Sequence, residues 1–158
     1  MSSLSKRIVV FDIDGTISCT DNRIHHVKPR EGEKKNWSAF FKEAEHDAPI
    51  QHVINLTNLY ANAEYRIVLC TGRPANLRSD TVTWLKKNGV WYQDLLMRLT
   101  TDRGPDYEVK GVTLLEFLKQ NNLELSQIEA VYEDRIPVAE MWRKMGLNVF
   151  LCGDEWRP

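Results

Sequence analysis

The chain has 158 residues, 42% hydrophobic and 27% charged, enough to bury one core, and is expected to form a single domain over residues 1–158. Its 21 Lys and Arg against 22 Asp and Glu leave a net charge of −1, which excludes a protein that coats nucleic acid through bulk electrostatics. The 3 cysteines, Cys19, Cys70 and Cys152, are far apart and form no CxxC pair, which argues against a disulfide framework or a zinc site.

Taken in chain order, the first element is the apolar run Ile8–Phe11, too short for a signal-peptide core or a membrane span. It reads as a buried strand in a cytoplasmic protein with no membrane partner. Lys28, Arg30, Lys34 and Lys35 then cluster near Trp37, Phe40 and Phe41, a solvated loop leading into an amphipathic helix. Asn36 can cap that helix, which is expected to run to about His46. Pro49 stands where a first-turn proline would begin a second helix, ending near Ala63. Arg66–Cys70 is the next strand. A helix from Thr81 to Lys87 stops at Asn88-Gly89, and the segment Asp94–Leu99 is a third strand. Tyr107 to Gln120 has its apolar residues near helical spacing. The strand Ile128–Tyr132, the helix Pro137–Met145 and the strand Leu147–Leu151 complete the chain. Such alternation predicts an α/β fold, an open, mostly parallel sheet with helices on both faces. In such sheets ligands bind beyond the C-terminal strand ends.

Four polar stations fall there. Asp12-Ile-Asp14-Gly15-Thr16 follows the first strand, so two carboxylates two residues apart project to one side of extended chain. Asp suits Mg²⁺ as a hard oxygen ligand and can attack phosphorus. An Asp-rich turn is the plain alternative, but DIDGT after four apolar residues is a strong signal. Thr71-Gly72-Arg73 ends the second strand, where a hydroxyl and a backbone N–H can meet a phosphate oxygen; a helix cap before Pro74 competes as an explanation. Asp106-Tyr-Glu-Val-Lys110 opens a helix, and the Lys gains meaning from its company, since one ammonium can bind phosphate and hold a carboxylate ionised. Glu133-Asp134 closes the strand before the last helix, either as a metal-binding pair or as an acidic helix entrance.

The order Asp pair, Thr, Lys, acidic pair resembles the haloacid dehalogenase superfamily of phosphohydrolases, over about Lys6 to Leu151. Arg23, Leu96-Met-Arg98-Leu, Asp106 with Lys110, and Val138-Ala-Glu-Met-Trp-Arg143-Lys-Met-Gly146 look like the phosphatase half of phage-type polynucleotide kinase-phosphatases, which remove 3′-phosphates from nucleic-acid ends. The kinase half of those enzymes carries a P-loop, and no GxxxxGK[ST] occurs here. The resemblance thus implies a phosphatase module standing alone, with room for a kinase or ligase partner on a separate chain.

Position by position, the resemblance makes Asp12 the nucleophile and Asp14 the general acid and then base. Mg²⁺ would be held by the carboxylates of Asp12 and Asp134 and the main-chain carbonyl of Asp14. Thr71, Gly72 and Lys110 would bind phosphate, and Arg23, Arg73 and Asp106 would support substrate or orient Lys110. Arg98 and Arg103 could also face substrate, though an exposed loop residue is the plainer reading of each. Glu133 departs from the Asp usual in the family, and its longer side chain would serve behind the metal ligands. About residues 20–48 would form a small cap insertion. His25 and His26 in it read as polar loop residues, and Trp37, Phe40 and Phe41 as the apolar face of its helix. The substrate implied is a 3′-phosphate end of DNA or RNA. A nucleotidase or small-metabolite phosphatase of the same superfamily is the first rival. A non-catalytic relative would lack Asp12 or Asp14, and a receiver-type regulator would lack Asp14-Gly-Thr.

Overall fold

The computed structural model describes residues 6–153. Its centre is a five-stranded, all-parallel sheet in the order β5-β4-β1-β6-β7, built from β1 (Ile8–Phe11), β4 (Arg66–Pro74), β5 (Asp94–Arg98), β6 (Ile128–Glu133) and β7 (Val149–Leu151). Side chains alternate across a strand, so each strand feeds two cores. Val9 and Phe11 of β1, with Ile67 and Leu69 of β4, pack toward α2 (Gln51–Asn62) and α3 (Arg78–Lys87). Ile8, Val10 and Val68 face α4 (Asp106–Gln120) and α5 (Ile136–Lys144), whose Leu114 and Trp142 are fully enclosed. The expected α/β architecture, with helices on both faces, is the one observed.

The chain passes from β1 to β4 on one side and later returns to β6 on the other. This reversal of strand order places the crevice for ligands at the C-terminal end of β1. There β1 runs into a tight turn: Ile13 O accepts from the backbone N–H of Thr16, Ile17 and Ser18, and Gly15 supplies the φ of +86° that the turn requires.

Two departures from expectation both concern the segment between β1 and α2. Pro49 does not begin a helix. Ala48–Pro49 (β3) pairs antiparallel with Ser18–Cys19 (β2), and α2 begins only at Gln51. Proline lacks an N–H but fits an edge strand as readily as a first helical turn, and the presence of Ser18–Cys19 alongside decides between them. The helix capped by Asn36, whose side chain accepts from Ala39 N at 3.0 Å, spans only Trp37–Lys42 (α1) before tightening into a 3₁₀ turn over Glu43–His46. A further 3₁₀ turn covers Ile24–His26. Elsewhere β4 continues past Cys70 through Thr71, Gly72 and Arg73, so the second station lies within a strand's last residues.

Candidate active site

Asp12 leaves β1 with its N–H still bonded to Tyr132 O of β6 at 2.9 Å, so the ladder holds its backbone rigid. The carboxylate is 4% exposed. Lys110 Nζ donates to Oδ1 at 2.7 Å, and Thr16 Oγ1 lies 3.3 Å from Oδ2. Burial, and then the charge of Glu133, push this carboxyl up to about 7 despite Lys110.

The cause lies in the neighbouring acids. Carboxylate oxygens of Asp12, Glu133 and Asp134 lie within 4.8 Å of one another, all buried. Burial, then Asp12 and Glu133, hold Asp134 far above the ordinary carboxylate range. Among the described residues neither oxygen of Asp134 has a hydrogen-bond partner. An orphaned buried carboxylate is among the most costly groups a fold can carry, and a hard divalent cation is what three clustered carboxylates are built to receive. The donor set fits Mg²⁺. Gly15 completes the cradle, because a Cβ there would stand 2.0 Å from Asp134 Oδ2.

Lys110, 2% exposed, enters from the first turns of α4. Besides Asp12 it donates to Glu133 Oε2 at 2.9 Å and lies 3.6 Å from Asp106 Oδ2. Against burial, Asp106, Asp12 and Glu133 keep the ammonium charged well above its usual range. Glu133 therefore reaches past the position a shorter Asp would take and becomes a counter-ion of the lysine, while its Oε1 accepts from the N–H of Asp134 and Arg135. Asp106 is held in turn by Arg98 at 3.3 Å and Arg135 at 3.2 Å. Gly72 packs against it so closely that a Cβ would meet Asp106 Oδ1 at 2.3 Å, which is why the second station needs glycine. Arg98 also donates to Gly104 O at 3.0 Å and so anchors the loop before α4.

Against burial, Lys110, Arg135 and Arg98 hold Asp106 below the usual carboxylate range. A lowered native pKa stabilises the fold above the unfolded value of about 3.9, and that contribution fades as pH falls through the lower native value. Asp106→Asn should thus be about 1–3 kcal/mol less stable near neutral pH, with the deficit closing in acid. Denaturant melts of both proteins across pH would show it. A deficit that stays constant into strong acid would mean that shape, not charge, is lost.

Asp14 faces a different environment. Arg23 pairs with its Oδ1, and Arg73 reaches it through Nε at 3.1 Å and a terminal nitrogen at 2.7 Å. Against burial, Arg73 and Arg23 hold this carboxylate well below the usual range. An ionised Asp14 is ready to act as a base; service as an acid requires the guanidinium groups to release it. Arg23 is fully buried, with its Nε 2.7 Å from Asp47 Oδ1, a terminal nitrogen 3.0 Å from Phe40 O, and the Phe40 ring 4.1 Å beneath. Arg73 also reaches Ser18 Oγ and Thr81 Oγ1, each at 3.3 Å. Both arginines thus frame Asp14. Thr71, 3% exposed, accepts from Arg73 N at 3.2 Å through Oγ1, holding the turn at the end of β4.

The structure brings Asp12, Lys110, Glu133, Asp134 and Asp106 into one cluster and Asp14, Arg23 and Arg73 into a second beside it. Asp47, which holds Arg23 and Arg73 in the second cluster, and Arg135, which holds Asp106 in the first, carry no sequence signal: Asp47 is one acid before Ala48–Pro49, and its partner Arg23 is 24 residues away. Arg103 is exposed, as expected. Burial pushes the Cys70 thiol up to about 12, which leaves it inert. A cavity of about 390 Å³ runs from Asp134 and Gly15 past Thr16 toward Lys28 and His52.

Residues 6–155 match the model of the family described as the polynucleotide kinase PNKP phosphatase domain. The fold superposes on a chain of the Pnkp1/Rnl/Hen1 complex with a TM-score of 0.72 at 26% identity, covering 93% of this chain and 45% of that one. A chain of the Pnkp1/Rnl/Hen1 RNA repair complex matches at TM-score 0.72 and 25% identity, over 94% of this chain and 43% of that one. This chain thus spans less than half the length of those relatives. A haloacid dehalogenase-like hydrolase from Streptococcus pneumoniae shares the fold at TM-score 0.66 and 12% identity, over 92% and 84% of the two chains. With its four stations gathered at one end of the sheet, the chain belongs to the polynucleotide kinase PNKP phosphatase-domain family, a group of hydrolases within the haloacid dehalogenase phosphatases.

Proposed function

We propose that this chain is a Mg²⁺-dependent phosphomonoesterase that removes 3′-phosphates from polynucleotide ends through an aspartyl-phosphate on Asp12. The observation that carries the reading is the environment of Asp12: a rigid carboxylate at the central strand end, with Lys110 on one oxygen and the unpartnered carboxylate of Asp134 beside it. Mg²⁺, held by Asp12, Asp134 and the main-chain carbonyl of Asp14, would supply positive charge against which two anions can approach. Lys110 adds the second positive charge on the phosphate side and, together with the metal, would offset the burial and the acidic neighbours that raise Asp12. An Asp12 oxygen forms a bond to phosphorus as the bond from phosphorus to the 3′ oxygen breaks. Asp14, once released by Arg23 and Arg73 and carrying a proton, gives that proton to the leaving alkoxide; water, losing a proton to Asp14, then breaks the acyl-phosphate bond and frees Asp12. Such proton transfers typically contribute about 10²–10⁴-fold.

Thr71 and the backbone of Gly72, near the C-terminal end of β4, would receive phosphate oxygens, with Arg73 next in the chain. The cap, about residues 20–48, is one short helix with 3₁₀ turns on either side of it. A lid so small suits the end of a polymer, which cannot be enclosed. The relatives named for RNA repair support the same substrate class and make a separate ligase or kinase partner a reasonable companion.

The deciding experiment is phosphate release, with Mg²⁺ or EDTA, from 3′- and 5′-phosphorylated DNA and RNA oligonucleotides beside the matching mononucleotides. Release that requires Mg²⁺ and is fastest, by kcat/KM, on a 3′-phosphorylated oligonucleotide is the expected result. Equal or faster release from mononucleotides would replace the polynucleotide reading with a nucleotidase.

A further inference from the structure

The cap carries a second group of ligating side chains that the phosphatase reading leaves without a task. His25 and His26 lie in the 3₁₀ turn after Arg23, and Glu43 begins the 3₁₀ turn after α1. One potential ligand atom from each lies within 4.8 Å of the others; among the described residues this is the one such cluster apart from the acids around Asp12. The two imidazoles stand with centroids 4.0 Å apart, so adjacent residues that would ordinarily diverge are turned to a common side. His26 Nε2 lies 3.0 Å from Glu43 Oε1. That nitrogen is sealed from solvent, and the Glu43 carboxylate is what it faces. An imidazole nitrogen and a carboxylate oxygen at this separation stand as two ligands of one cation would.

The geometry points to a binding site for a divalent first-row transition ion of the zinc class, held by His25, His26 and Glu43 with water in the remaining position. Zinc ligands at about 2.0–2.1 Å stand roughly 3.3 Å apart across a tetrahedron, close to the separation of His26 and Glu43. Two imidazoles and one carboxylate select such ions over Mg²⁺, which prefers oxygen alone. The cysteine count argued against a zinc site, but this donor set uses none. An ion here would clip the turn that follows Arg23 to the end of α1, where Arg23 already holds Phe40 O and Asp47. Its effect would therefore be to stiffen the cap, independent of the chemistry at Asp12.

The test uses tag-free protein titrated with Co²⁺ in millimolar Mg²⁺, followed by proton NMR. The expected result is hyperfine-shifted, exchangeable imidazole N–H signals that saturate at one equivalent, a signature the all-carboxylate site cannot give. These signals should vanish in His25→Ala and His26→Ala. In Glu43→Gln, which preserves shape should an alanine variant not fold, Co²⁺ affinity should fall tenfold or more. Absence of shifted imidazole signals in the parent protein, or signals and affinity unchanged in these variants, would overturn the site.

Discussion

Asp12→Asn is expected to lower kcat by about 10⁴-fold or more, to the level of the background reaction, while the protein stays folded. The amide keeps the shape of the side chain but cannot form the acyl-phosphate bond. Its effect on stability should be small for an electrostatic reason. Asp12 sits among acids that raise its pKa, so loss of its charge relieves repulsion with Glu133 and Asp14. The same change takes from Lys110 one partner at 2.7 Å but leaves Glu133 at 2.9 Å and Asp106 at 3.6 Å. These effects oppose each other, and a melting temperature within a few degrees of the parent follows. Two measurements check the assignment together: steady-state turnover, and acid-quenched single turnovers with labelled substrate, in which only the parent should carry label on the protein. A variant retaining a tenth or more of the parent rate would remove Asp12 from the role of nucleophile.

What could be read in advance was whatever is local in the chain. Most strands of the sheet announced themselves as short apolar runs, and three of the four stations stood at or just after a strand's end, so Asp12, Asp14, Thr71 and Asp134 could be put at strand ends from position alone. Strand parity did the rest: Asp12 and Asp14 were expected on one side of extended chain, and the turn at Gly15 adds a constraint that only the fold reveals, a Cβ colliding with Asp134 119 residues away in sequence, visible as a 2.0 Å approach. Interactions of that reach have no local signature. Asp47 pairs with Arg23, and Arg135 with Asp106, across gaps that no periodicity encodes. The strand Ala48–Pro49 was missed for the same reason, since its partner Ser18–Cys19 lies across the cap. Glu133 could be read as closing its strand, but its pairing with Lys110 depended on one methylene of extra reach, which only geometry can assign.

Lys110→Met carries the other large effect. It should reduce kcat/KM by about 10²–10³-fold or more, the range for loss of a positive group aimed at developing charge. It should also destabilise the fold by about 3–5 kcal/mol, because a buried ion pair that loses one partner leaves the other uncompensated. Here Asp12, Glu133 and Asp106 would face one another with their shared cation gone, Asp106 alone keeping Arg98 and Arg135. The two losses can be separated. Glu133 pairs with Lys110 through Oε2, while its Oε1 accepts from the backbone N–H groups of Asp134 and Arg135. Adding Glu133→Gln to Lys110→Met removes one buried charge, keeps an acceptor for those N–H groups, and should restore a large part of the lost stability in denaturant melts. Activity should remain lost, since no positive charge returns to the phosphate. A double variant that regains both stability and turnover to within tenfold of the parent would reduce Lys110 to a charge-balancing residue, and the attack on phosphorus would then have to proceed without it.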